Sequence, residues 1–383
     1  MKKTLNLLLC GLLIISCTSE NKDINTSIHT IKLGDNKSIN LSEIAENLQI
    51  IPVETSDTCI LSDICNIKLN DENIYINDNI FKGIYIFNNK GKLISKLYKE
   101  GRGNGEYTSL DDFLIDNKEQ NIEILDRVSK KIFIYNIIDF KLKKIIDIPF
   151  DFCFKFTKKD HIYYFQTNCS RNIVNGKKTN SDIISLNTAN NQLNILFDKI
   201  LPDNENQFFE FTNIFTRSSQ AEIFASFMWD NNIYKLDNNN NIFTSITIDK
   251  EGKGWPQKIM EGKYDQKMNF IKSGQTESKV HFFRLLMHEK NDLIISYGTG
   301  CPPKFLYYME LNNGNKIINT NNIVNDMTPS SYNNFDIFST ENNKLISVIY
   351  PYREENSELL SHLNVKNDDN PIILIANIKQ YEK

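Results

Sequence analysis

Between residues 99 and 112 the chain sets Gly101, Gly103 and Gly105 at alternate positions among Arg102, Glu106 and Tyr107, then runs into Asp111 and Asp112. Glycines so spaced permit a tight turn and close backbone approach, so amides could face a ligand while the other three residues offer a charged, aromatic edge. The same residues also read as a crossing in which Arg102 and Glu106 pair with neighbouring backbone and fix the chain's path. The loop is not of the phosphate-binding type, because no helix with Lys-Ser or Lys-Thr follows it. Asp111, Asp112, Arg217 and Arg284 fall on or beside segments expected to be innermost in the fold, where they could reach a central channel. Calcium takes six or more oxygens and no Asp-x-Asp loop occurs, so no metal is assigned.

Other chemistry finds little support. The five histidines, His29, His161, His281, His288 and His362, show no zinc-binding spacing. A Gly-x-Ser-x-Gly elbow is missing. Adjacent acids such as Asp111-Asp112 and Asp368-Asp369 point apart if they lie on a strand, which disfavours a two-carboxylate glycosidase pair from those residues. We assign no catalytic residue and no cofactor.

The elements that must position these residues repeat. Ile74, Ile76, Asp78, Ile84, Ile86, Phe87 and Asn88 return 48 positions later as Ile122, Ile124, Asp126, Ile132, Ile134, Tyr135 and Asn136. A looser third copy has Ile223, Ala225, Ile233, Tyr234, Leu236 and Asp237. Alternating apolar residues cut by Asn, Asp, Lys and Gly mark short half-buried strands joined by hairpins. A period just under fifty residues suits one four-stranded propeller blade. Six blades account for the chain once insertions are allowed at 167–180 and 250–279, the latter with some helix. His29–Leu33 and Gln49–Val53 read as strands around a short helical or turn segment, 41–47, with Ser42 as its cap. At least one of the two strands is expected in the last blade, where pairing of the chain's ends would close the ring.

Formal charge is −4 over 383 residues, with 44 Lys and Arg against 48 Asp and Glu. Without a clustered basic stripe this excludes nucleic acid as a partner. Lys2 and Lys3, an apolar run from Leu5 to Ile15, and Ser16-Cys17 describe an export signal too short to span a bilayer. Ile14-Ile15-Ser16-Cys17 resembles the bacterial lipobox, in which the cysteine is acylated; ordinary secretory cleavage is the alternative. The expected organisation is a lipoprotein signal peptide over 1–16, a polar tether over 17–27 and one monomeric propeller over 28–383, placed at the outer membrane on its periplasmic side or at the cell surface. Cys59 with Cys65, or Cys153 with Cys169, could bridge, although buried free thiols fit these apolar surroundings better; Cys301 is left over.

Four segments carry a family resemblance: Leu41-Ser42-Glu43-Ile44 with Ile51-Pro52-Val53-Glu54-Thr55, the loop from Gly101 to Tyr107, Asp230-Asn231-Asn232-Ile233-Tyr234, and Asp369-Asn370-Pro371. In this order they resemble exported six-bladed β-propeller lipoproteins of Gram-negative anaerobes, whose repeats are related to NHL-type propellers. Asn104 stands where that family's loop usually has proline; asparagine tolerates the left-handed conformation, so the turn survives with less rigidity. The resemblance implies the fold and export but no substrate. Two functions follow as expectations: a lipid-anchored, non-catalytic binding or scaffold protein for a peptide, glycan or partner protein, or an extracytoplasmic hydrolase or lyase with its site at the ring's mouth. A sensor or assembly subunit for a transporter is a third.

Overall fold

The computed structural model describes residues 28–380 apart from 71, 169, 198–212, 228–229, 238–240, 261, 263, 301–302, 329–333 and 354–357. Its strands form six antiparallel blades in a ring, a six-bladed β-propeller. Blade 1 runs outward from the axis as Ile64–Leu69, Asn73–Asp78, Gly83–Asn88 and Leu93–Leu97, and blade 2 as Asp112–Asp116, Asn121–Asp126, Lys131–Asn136 and Leu142–Asp147. Blade 3 uses Lys155–Lys159, Ile162–Gln166, Ile183–Asn187 and Gln192–Phe197; blade 4 uses Phe215–Arg217, Ile223–Ser226, Asn232–Leu236 and Ile242–Asp249. Blade 5 has Val280–His288, Leu293–Thr299, Lys304–Leu311 and Lys316–Val324. Blade 6 takes Ser339–Glu341, Lys344–Ile349 and Ile372–Ile378 from the C-terminal end and Ala45–Pro52 from the N-terminal end.

A twisted four-stranded sheet has two apolar faces, and here every face meets a neighbouring blade. Tyr75, Ile84 and Leu97 of blade 1 meet Phe113, Ile124 and Phe133 of blade 2, while Ile346, Ile373 and Ile375 of blade 6 meet Ile67, Ile76 and Phe87 of blade 1. Equivalent layers separate the other pairs. Near the axis the innermost strands are stitched by side-chain to backbone bonds: Thr216 Oγ1 donates to Leu285 O at 2.5 Å, and Thr340 Oγ1 to Leu286 O at 2.6 Å.

The repeated polar residues explain themselves. Asp78 and Asp126 are both fully buried. Asp78 accepts from the amides of Ser62, Asp63, Ile80 and Phe81. Asp126 accepts from the amides of Thr108 and Ser129 and the hydroxyls of Thr108 and Ser109. Each therefore ties the chain arriving at its blade to the turn between the second and third strands. Asn88 and Asn136 cap the next turn, accepting from Lys90 and Lys92 and from Ile138 and Asp139.

Ring closure is as expected, with Ile51 opposite Ile373 and Pro52 opposite Ile372. The other N-terminal strand differs: His29–Lys32 pairs in parallel with the outermost strand of blade 4, His29 opposite Ile246. A strand the sequence did not announce, Lys37–Asn40, pairs likewise with blade 5, Ile39 opposite Ile323. The chain thus steps along the outer edges of blades 4 and 5 before becoming the edge of blade 6. Ser42 is not the cap of Leu41–Glu43; Asn40 precedes that turn and its amide donates to Glu43 Oε1 at 2.9 Å. Ser42 instead donates its amide to Asp326 Oδ1.

The insertion of blade 3 is a small hairpin, Asn172–Val174 with Lys177–Thr179. The 250–279 excursion holds helices Gln257–Met260 and Tyr264–Lys272, with Trp255 against Phe270 at 5.0 Å. The helix expected over 353–363 is seen as Glu358–Leu363. In blade 6 the expected strand 335–339 starts later, at Ser339. The part of the expected strand 208–215 before 213 lies outside the described residues, as do Cys17, Cys169 and Cys301. Cys59, Cys65 and Cys153 are free thiols.

Candidate functional site

The ring has two unlike faces. Turns from first to second and third to fourth strands share one face and are short, from two residues (342–343) to five (218–222). The other face holds the crossings between blades and the turns from second to third strands, among them the long segments 98–111, 167–182, 250–279 and 350–371. Exposed large apolar residues follow the same division: Ile60, Ile80, Phe81, Val128, Phe152 and Tyr352 stand on the long-loop face over blades 6, 1, 2 and 3. Among the described residues of the short hairpins, only Ile138 is a counterpart. Loops carry binding residues on rigid scaffolds, and apolar groups gathered on one face mark contact surfaces.

The residues proposed from sequence do not converge. Tyr107 is fully buried; its hydroxyl donates to Lys82 O at 2.7 Å and accepts from the Lys99 amide at 3.2 Å, and burial pushes its pKa far up. It locks the crossing from blade 1 to blade 2 and shows no edge to solvent. The glycine turn lies at the periphery and not at the mouth: Gly105 O accepts from Tyr135 OH at 2.9 Å, and a Cβ on Gly105 would sit 3.1 Å from Leu142 of the outermost strand. The left-handed residue is Gly105, φ +79°, so Asn104 is not asked to adopt that conformation. Glu106 folds back over its own loop, accepting from the Gly103 amide at 2.7 Å, and a Cβ at Gly101 would collide with its carboxylate. Arg102 is exposed and makes no bond to a described residue.

Asp111 is held by Arg127, whose amide and Nε lie 3.0 and 3.1 Å from its oxygens. Asp112, 1% exposed, joins three blades, accepting from Asn66 Nδ2 and from the Phe156 amide, both at 3.2 Å. Arg217 ends the innermost strand of blade 4 at the opposite, short-hairpin face. Arg284 lies opposite Ser296, and Ser296 opposite Tyr307, so these residues share the blade 5 face that meets blade 6. There burial raises the Tyr307 hydroxyl, with Asp336 adding to the rise and the Ile337 amide and Arg284 opposing it. Asp336 itself is exposed, between the buried Phe335 and Ile337. Strand order at the axis was readable in the sequence, but the direction of each side chain was set by packing between blades.

A site the sequence did not single out lies where the ring closes. Leu61 and Ser62 from the crossing into blade 1 face Tyr350, Pro351, Tyr352, Asn367, Asp368, Asp369 and Pro371 of blade 6 across a cleft of about 380 Å³. Its walls are fixed by bonds behind them. Asn370 accepts from the Leu61 amide at 2.7 Å and donates to Glu54 O and Cys59 O at 2.7 and 2.8 Å. Asp369 accepts from the Lys366 amide at 2.8 Å. Asp78 holds the amides of Ser62 and Asp63. The Tyr350 and Tyr352 ring centroids are 5.7 Å apart, and the Arg353 guanidinium carbon lies 5.0 and 5.3 Å from them. Burial raises the Tyr350 hydroxyl, opposed by the neighbouring Ile64 amide and assisted by Asp63. Asp368 is exposed and makes no bond to a described residue. The available signal was length: 350–371 is far longer than the equivalent turn 79–82 of blade 1.

Among the described residues no helix is long and apolar enough to cross a membrane, and no cluster of three His, Cys, Asp or Glu is placed to hold a metal. Residues 26–377 match the family described as a domain of unknown function, DUF4934. No curated protein matches the chain. A Bacteroides fragilis protein described as exported superposes with a TM-score of 0.70 at 18% identity, covering 92% of this chain and 100% of that one. A Bacteroides vulgatus member of the DUF4221 family superposes at 0.56 and 10% identity, covering 88% and 97%. Likeness at these identities is likeness of fold.

Proposed function

Since the chain belongs to the DUF4934 family, we propose that it is an exported binding protein, tethered to the cell envelope by a lipid on Cys17, that engages its ligand through the long-loop face. The observation carrying this reading is the asymmetry of the disc: the exposed apolar residues and the cleft at the closure stand on the face built from long connections. The lipobox-like Ile14-Ile15-Ser16-Cys17 and the fold shared with a protein described as exported support the address. A rigid ring with fixed cleft walls suits recognition, because little conformational entropy is lost on binding.

Capture from envelope extracts tests the face. A specific partner should be retained by Ile138→Ser and lost with the double change Phe81→Ser and Val128→Ser, at unchanged Tm. Equal capture by all three proteins would remove the assignment. Turnover of an envelope polymer, abolished by Asp336→Asn, would replace it with the enzymatic alternative. Lipidation is read separately: labelled palmitate should enter the protein and be absent after Cys17→Ala.

A further inference from the structure

We propose that the cleft between residues 350–352 with 367–369 on one side and Leu61 and Ser62 on the other is a carbohydrate subsite for a neutral, hydroxyl-rich glycan. The inference rests on the long-loop face being the ligand face, and it names the chemistry of one part of it. Three features together point to a sugar. Tyr352, 53% exposed, offers aromatic surface at the cleft wall, on which the apolar C–H face of a pyranose can lie. Around it stand both kinds of hydrogen-bonding group: carboxylates at Asp368 and Asp369, which only accept, and the Asn367 amide and Ser62 hydroxyl, which do both. The third feature is charge. Arg353 lies over both tyrosines with its Nε donating to Tyr352 OH at 3.1 Å, and it forms no ion pair with a described carboxylate.

These charges favour a neutral guest. A cationic ligand on Tyr352 would meet the guanidinium already held against the rings, and an anionic one would meet Asp368 and Asp369. Sugar hydroxyls donate to the carboxylates and accept from the Asn367 amide and the Ser62 hydroxyl, with no net charge to oppose. A volume of about 380 Å³ lies within the range of small-ligand sites. The wall is preorganised, because Asn370 bonds the two segments together behind the lining residues.

The test is titration of the purified full chain with cellohexaose, maltohexaose, chitohexaose and mannohexaose, beside pentalysine and a hexamer of galacturonic acid. At least one neutral oligosaccharide should bind saturably with Kd of about 1 mM or tighter, weakened about tenfold or more by Tyr352→Ala and by Asp368→Asn. Both side chains are exposed, so Tm should not move, and Ile138→Ser on the short-hairpin face should leave sugar binding intact. Saturable binding only of pentalysine or of the uronic acid hexamer overturns the inference, as does no saturable binding of any neutral oligosaccharide. In either case, partner capture that still depends on Phe81 and Val128 would leave the ligand-face reading standing. Capture indifferent to them would remove both.

Discussion

Replacing Asp126 with asparagine should strip the second blade of the clamp that joins its incoming chain to its central turn. The carboxylate is fully buried and accepts from four donors: the Thr108 amide at 2.6 Å, the Ser129 amide at 2.9 Å, and the hydroxyls of Thr108 and Ser109. Hydrogen bonds to a charged acceptor are each worth about 1.5–3 kcal/mol. An amide keeps one oxygen and turns an NH₂ toward donors, so two bonds are lost and Asp126→Asn should cost about 3–6 kcal/mol. In a domain of this size that lowers Tm on the order of 5–10 °C. The pH dependence supplies a second reading. Burial raises the Asp126 carboxyl, but its bonds to Ser129, Thr108 and Ser109 outweigh burial and hold it below the ordinary range. The unfolded chain therefore takes up this proton first as pH falls. The stabilisation is whole above about pH 4 and is lost as pH falls through the folded-state value. Urea midpoints of wild type and variant should be well separated at pH 7 and converge in acid. Asp139→Asn, on an exposed turn, is the control and should leave the midpoint unchanged. Coincident midpoints of Asp126→Asn and wild type at pH 7 would refute the clamp, and a gap independent of pH would refute its electrostatic origin.

Lys158 reaches from blade 3 to Asp116 at 2.6 Å and to the buried Glu123 of blade 2, which also accepts from Tyr163 OH. Lys158→Met leaves those carboxylates without their cation and should cost about 3–5 kcal/mol in urea denaturation, much of it restored by adding Glu123→Leu. Asn370→Ala leaves the Leu61 amide and the Glu54 carbonyl unpaired, while Cys59 O keeps the Ser56 amide at 3.2 Å. At about 1–3 kcal/mol for each buried group left unsatisfied, hydrogen exchange should accelerate at 54–61 before the rest of blade 1. Cys65 is the exposed thiol of the three described, while Cys59 is buried, which pushes its thiol up to about 11, and Cys153 is buried and raised to about 12. A disulfide reagent should modify Cys65 in the folded protein, slowly at pH 7 and faster as pH rises, and spare Cys59 and Cys153 until denaturant is added.

What the sequence determined by itself is whatever a blade settles locally. Strand alternation, the 48-residue return, and the paired Asp78/Asp126 and Asn88/Asn136 caps all act within a few tens of residues, so their types and spacing carry their roles. Tertiary structure alone decided the rest. His29–Lys32 and Lys37–Asn40 lie on the edges of blades 4 and 5 through backbone bonds, which are nearly blind to side-chain identity. The glycine turn was legible as a turn, but the packing of Gly105 on Leu142 sent it to the rim and buried Tyr107. The cleft exists because closure brings Leu61 and Ser62 against residues 350–352 and 367–369, roughly three hundred residues apart in the chain. No local pattern encodes that meeting, since it depends on the summed rotation of six blades about one axis.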